Sequence, residues 1–318
     1  MLTMVYDITI NGRKLAVLDS VELKESVELL ADIATIRLPA AVYNKPLKAD
    51  ELIHRGDKVK IVFGYREVKG ASDTFDGFVR TVTTDGGNIE VVCEDGLFLF
   101  RKPVANKQYT SIEVKDLLTA VISQLNIPLT LDCSYSWKYG KFTFHDAAGY
   151  DVLKKIQDEC GADIYIKDGT LHVHAPAEKV GETYAFDFSK NIEKSDLTYQ
   201  RAEDNKLKIV VKATATDGTI KTVEVGSDEG DKREIMCASS DNASMKARGE
   251  AELKRLSYDG YSGSITGWLF PAVHSGDAVQ LHDDDYTYKD GKYYVNGVTT
   301  TFSRGGGVRK IELGIRLT

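Results

Sequence analysis

His172 and His174, two residues apart, are the first candidates for chemistry in this 318-residue chain. On a strand they face one side, which would suit a metal ion. His282, followed by Asp283, Asp284 and Asp285, offers oxygen ligands for a hard cation. Neither group supplies a full ligand set, and the acidic run lacks the glycine-spaced pattern of a calcium loop. The plainer readings are a surface hairpin and a solvated turn. For proton transfer, Asp57 and Asp277 lie in similar turns, and Glu94 with Asp95 lies in another. Acidic residues at such places more often lock turns than move protons. No Gly-x-Ser-x-Gly or His-Glu-x-x-His motif occurs. Gly305-Gly306-Gly307 joins two strands and does not open a helix, so it lacks phosphate-site geometry. Tyr286, Tyr288, Tyr293 and Tyr294 could stack on sugars, but cross-strand pairing or a protein interface is the stronger reading. The residues thus predict no catalytic group, no cofactor and no metal.

The four cysteines, Cys93, Cys133, Cys160 and Cys237, form no Cys-x-x-Cys pair. A zinc knuckle does not fit, and a chain this long builds a core without staples, so buried free thiols are expected. Lys and Arg number 41 against 48 Asp and Glu, a formal net charge of −7. A dedicated nucleic-acid binder would need a basic face to displace counterions. Apolar runs such as Ile209-Val210-Val211 are far too short for a bilayer span. Met1 to Ile10 shows no basic region ahead of an apolar one. The expectation is a soluble protein made in the cytoplasm, with no signal peptide and no membrane anchor.

Most of the chain that must position these residues alternates like strands: residues 5–10, 33–38 and 58–63, bracketed by Asn11-Gly12, Arg55-Gly56-Asp57, Asp85-Gly86-Gly87 and Asp95-Gly96. Short strands with exposed edges must close or pack, and a barrel is the economical answer. The period changes after Pro103. Val114, Leu117, Leu118, Val121, Ile122 and Leu125 share one face of a helix expected over 111–125. A second helix is expected over 150–160, then a hairpin over 163–174 turned at Asp168-Gly169. A further helix is expected over 242–256, with Asp241 as its cap. The fold class is therefore mainly β with an α/β insert: a β-barrel domain over 1–105, a small α/β domain over 106–178, and a second β-barrel domain over 179–318.

An internal repeat supports the two barrels. His54-Arg55-Gly56-Asp57-Lys58-Val59 resembles His274-Ser275-Gly276-Asp277-Ala278-Val279 at an offset of 220. Asp76-Gly77-Phe78-Val79 is echoed by Asn296-Gly297-Val298-Thr299 at the same offset. Both then turn through glycine into Ile89-Glu90-Val91-Val92 and Ile311-Glu312-Leu313-Gly314. Gly56, Asp57, Gly77, Gly276, Asp277 and Gly297 are the expected repeat turns.

The order of these features resembles the baseplate hub proteins of contractile phage tails and related injection machines, the late-control-D type. The resemblance runs through Asp76-Gly77-Phe78-Val79, Ile89 to Asp95 with Leu97, Leu99 and Arg101, Leu125-Asn126-Ile127-Pro128, Phe142-Thr143-Phe144, Tyr150 to Ile156, Gly161 to Val173, Ser275 to Val279 and Tyr293 to Val298. It implies two tail-tube-like barrels per chain and a homotrimer whose six barrels form a pseudo-sixfold ring. Such a ring adapts a sixfold tail tube protein to a threefold spike among other baseplate proteins. The implied location is the baseplate of a virion tail assembled in the bacterial cytoplasm. No β-helical needle follows in this sequence, so a separate trimeric spike protein is expected. The competing readings are a carbohydrate-binding β-protein and a hub-associated cell-wall hydrolase.

Overall fold

The computed structural model describes residues 2–39, 41–42, 45–46, 49–68, 72–85, 87–215 and 217–317. In chain order its main elements begin with β1 (Met4–Ile10), β2 (Ser20–Ser26), β3 (Ile33–Pro39), β4 (Lys58–Tyr65), β5 (Ser72–Asp85) and β6 (Asn88–Glu94). Next come α1 (Val114–Leu125), β7 (Thr130–Cys133), α2 (Gly149–Cys160), β8 (Asp163–Lys167) and β9 (Thr170–His174). After β10 (Thr183–Asp187) and β11 (Lys194–Gln200) follow β12 (Leu207–Thr214), β13 (Ile220–Gly226), β14 (Asp231–Met236) and α3 (Asn242–Leu256). The chain ends in β15 (Gly260–Gly267), β16 (Ala278–His282), β17 (Gly291–Ser303) and β18 (Gly306–Arg316).

Two sets of six strands repeat one another. In the first, the spatial order is β1-β4-β5-β6-β3-β2; in the second it is β10-β16-β17-β18-β15-β11. Taken in chain order within each set, corresponding strands occupy the same place in the sheet: first, fourth, fifth, sixth, third, second. One orientation differs: β1 runs antiparallel to β4, whereas β10 runs parallel to β16. Among the described residues the hydrogen-bond ladder of the first set does not close on itself. Instead β2 pairs with β3 on one side and with β17 on the other, making one sheet of thirteen strands that includes the short Arg13–Lys14 strand.

The compact units follow this sheet rather than the expected boundaries. One unit comprises 1–98, 181–197 and 263–313; the other comprises 99–180, 198–262 and 314–318. Residues 198–262 and their helix, expected to belong to a second barrel over 179–318, therefore group with the 106–178 insert. They interrupt the second set between β11 and β15, and build a sheet of their own from β13, β12 and β14.

In the first unit, alternation explains the core. Ala34, Ile36 and Leu38 of β3 and Ile89, Val91 and Cys93 of β6 turn inward beside Val21, Leu23, Ile61 and Phe63. Phe302 of β17 enters the same cluster, stacked on Phe63 at 4.7 Å between ring centroids. In the second unit, α1 buries the six residues that the sequence placed on one face. Its start is three residues later than expected because Ile112 and Glu113 pair with Tyr139 and Lys138 as a short strand. The backbone N–H of Ala148 donates to Asp151 (2.8 Å) where α2 begins, and Asp241 accepts from Ser244 N–H (2.9 Å) at the start of α3. Gly249 lets α3 approach its sheet: a Cβ there would stand 2.7 Å from Val225 and 2.9 Å from Val211.

Candidate functional site

The repeat turns are built alike. Asp57 accepts the backbone N–H of His54 at 2.8 Å, and Asp277 accepts that of His274 at 2.9 Å. Gly56 and Gly276 both have positive φ, +91° and +85°, a conformation that a Cβ would strain. Gly56 N–H donates to Val79 O and Val79 N–H to Asp57 O; Gly276 and Val295 repeat the exchange with Asp277. Both carboxylates therefore lock turns.

The other two glycines do not correspond. Gly77 lies opposite Val59, while Gly297 lies opposite Ser26 on a different strand. Lys58 pairs with Phe78 and Ala278 with Tyr294, so the true offset falls from 220 at the turn to 216 on β5 and β17. The hairpin from Lys58 to Phe78 is four residues longer than that from Ala278 to Tyr294, because β4 and β5 pair over seven residues and β16 and β17 over four. Gly86, in the expected turn after β5, lies outside the described residues.

The junction of the two sets carries a polar cluster that sequence reasoning missed. β17 and β2 pair antiparallel from Gly297↔Ser26 to Ser303↔Ser20. Beside this seam, His274 Nδ1 lies 2.9 Å from Glu25, and its Nε2 lies 3.5 Å from Asp73. Arg309, fully buried, forms an ion pair with Asp73 and donates to Thr300 Oγ1 (3.0 Å), Leu269 O (3.0 Å) and Pro271 O (2.9 Å). Burial works against the His274 cation, but the hydrogen bond and charge of Glu25 lift it to about 9. Burial would likewise raise Glu25, yet His274 holds that carboxyl below its ordinary range. Asp32 and Asp95 face the opposite situation. Burial pushes Asp95 up to about 7, and burial together with the Asp95 and Glu25 charges raises Asp32 well above a normal carboxyl. Strand parity was the available signal: Arg309 shares its face with Ile311, Leu313 and Ile315, and Asp73 shares its face with Phe75 and Val79.

The metal candidates are internally compensated. His172 Nδ1 lies 3.0 Å from Asp132, which also binds Lys179. His174 is buried, with Nδ1 at Ala175 O (2.9 Å) and Nε2 at the Tyr165 hydroxyl (3.1 Å). Ligand atoms of Asp187, His282 and Asp284 come within 4.8 Å of one another. There, however, Asp187 accepts from Lys190 (2.5 Å) and Ser189 (2.6 Å), and the two His282 nitrogens meet Asp290 (2.6 Å) and Asp284 (3.0 Å). Asp283 caps the tip by accepting from Asp285 N–H and Tyr286 N–H. Glu94 is buried against Arg80 at 3.0 Å, and Asp95 accepts from Leu97 N–H at 3.0 Å. All four cysteines are free; Cys93, Cys160 and Cys237 are buried and Cys133 is half-buried. The tyrosines divide: Tyr293 and Tyr294 belong to the core, whereas Tyr286 and Tyr288 are exposed, with Lys289 4.1 Å above the Tyr286 ring. No described helix is long and apolar enough to cross a membrane.

No protein-family model matches the chain, and no curated protein matches its sequence. Solved structures do match. A tail protein from Neisseria meningitidis MC58 superposes with a TM-score of 0.69 at 14% identity, over 98% of this chain and 96% of that one. The 43 kDa tail protein of prophage MuSo2 from Shewanella oneidensis gives 0.66 at 13%, over 97% of each chain. The E. coli c3393 protein, described as a component of the type VI secretion system with structural similarity to T4 bacteriophage tail proteins gp27 and gp5, gives 0.62 at 11%, over 98% of this chain and 77% of that one. The chain is mainly β and has the fold of these tail and secretion-system proteins.

Proposed function

We propose that this chain is a structural component of a phage tail or phage-like injection machine, acting as its baseplate hub. Three copies would join into a ring of six similar β-sets, presenting near-sixfold symmetry to a tail tube protein and threefold symmetry to a separate trimeric spike protein. The observation that carries this reading is the duplication: two six-stranded sets in matching order, joined where β2, the end strand of the first, pairs with residues 297–303 of β17, an inner strand of the second. A second support is the fold shared with tail proteins over nearly the whole chain. The reading requires no catalysis, cofactor or metal, since the candidate acids and histidines are engaged in turns and ion pairs. Electron microscopy of the purified full chain at high concentration tests it. Class averages should show a ring with six similar lobes around an open centre. Particles with twofold symmetry and no central opening would refute the hub.

A further inference from the structure

The geometry points to one seam between chains: β11 of a second copy of this chain adds, antiparallel, to the edge of β5 that no described strand covers beyond Arg80. The inference rests on the ring reading above and goes beyond it by naming the two strands that meet.

The template is inside the chain. One edge of β17 carries two strands end to end, β16 over residues 291–294 and β2 over residues 297–303. The counterpart of β17 is β5, and the counterpart of β16 is β4, which covers residues 72–78 of β5. Beyond that point β5 pairs with β6 on its other edge, over residues 78–85. Val79 is taken by the turn, donating to Asp57 O and accepting from Gly56 N–H, and Arg80 O accepts from Arg55. On the edge that β2 occupies in β17, residues 81–85 of β5 meet no strand among the described residues. Thr81, Thr83 and Thr84 there are exposed.

The strand missing from this place has a counterpart as well. β2 matches β11, which pairs with β15 and ends the sheet among the described residues. Lys194, Ser195, Asp196 and Thr198 of β11 are exposed. One chain therefore carries a socket at β5 and an unused strand at β11, with six strands of the ladder between them. Among the described residues the two are not paired with each other; a second copy supplies what each lacks. Such a contact is heterologous, so repeating it head to tail builds a ring when the rotation closes. The side chains suit a seam that stays soluble until used. Thr81-Val82-Thr83-Thr84 favours a strand without a large apolar surface, and Lys194 with Asp196 guards the other edge against chance pairing.

Two full-length chains test this, each with Cys133→Ser, one carrying Thr84→Cys and the other Thr198→Cys. Both new cysteines replace exposed threonines. With a short bifunctional thiol linker, a covalent dimer should form in the mixture and in neither chain alone. Linking of either variant to itself would indicate a twofold contact and overturn the seam. Oligomers by sedimentation with no linking in the mixture would overturn the seam while leaving the ring reading standing. A chain that stays monomeric at every concentration would overturn both.

Discussion

His274 of the second strand set and Glu25 of the first meet at 2.9 Å beside the strand pair that joins the sets. The relationship couples a turn of the repeat to the seam, because Asp277 holds the His274 backbone while Glu25 holds its ring. Replacing His274 with Ala leaves the Glu25 carboxylate without its main partner. The His274 side chain is 39% exposed, so solvent screens part of the loss. The expected destabilisation is about 1–2 kcal/mol, read as a lower urea midpoint at unchanged slope.

Arg309→Met should cost more. It removes the buried cation from Asp73 and leaves that carboxylate only His274 at 3.5 Å; breaking a buried pair typically costs about 3–5 kcal/mol. Adding Asp73→Asn should recover part of that loss. A double-mutant cycle by urea unfolding checks the coupling, and purely additive effects would show that the pair is not the unit that matters.

Stability should fall as pH rises from about 5 to 9. Asp95 is raised from 3.8 to about 7 in the folded chain, so its contribution is present below the ordinary carboxyl range and lost as pH rises through about 7. His274 is raised from 6.5 to about 9, so its contribution is present below 6.5 and lost through about 9. Glu25, lowered by His274, acts the other way and is lost only in acid. Melting temperature against pH measures the slope, and Asp95→Asn should flatten its lower part.

The two turn aspartates should differ in weight. Asp57 serves one backbone N–H, whereas Asp277 is buried and also accepts from Glu182 N–H at 3.1 Å. Asp57→Ala should cost about 1 kcal/mol and Asp277→Ala about 2 kcal/mol. Equal losses in thermal unfolding would contradict this account of the turns.

Phe302→Ala opens the core at the point where β17 meets the first strand set. The ring is 1% exposed and stacked on Phe63. A loss of about 3–5 kcal/mol is expected from the removed ring and its cavity. Chemical denaturation is the check, and a loss below about 1 kcal/mol would mean that the seam packs loosely.

Local chemistry made part of this legible in the sequence. The helical faces of α1 and α2 follow from their spacing, and α3 runs over the expected 242–256 behind the Asp241 cap. The His-x-Gly-Asp turns were visible because a positive φ and a side-chain acceptor restrict which residues can stand there. Offsets beyond the turn misled: a hairpin four residues longer, through its longer paired strands, slid Gly77 away from Gly297 without changing the strand order. The match of β2 and β3 with β11 and β15 left no sequence trace, since residues 201–259 separate the later pair. The ion pair of Arg309 with Asp73 was hidden for a different reason. Parity turned each residue inward, but only the fold brings two strands distant in sequence to one place.

The central claim is that two strand sets per chain make a ring by head-to-tail joining, and sedimentation over a wide concentration range tests it most directly. The account predicts a mass that rises with concentration and stops at three chains. A dimer that persists at all concentrations, with a large twofold interface, would contradict it.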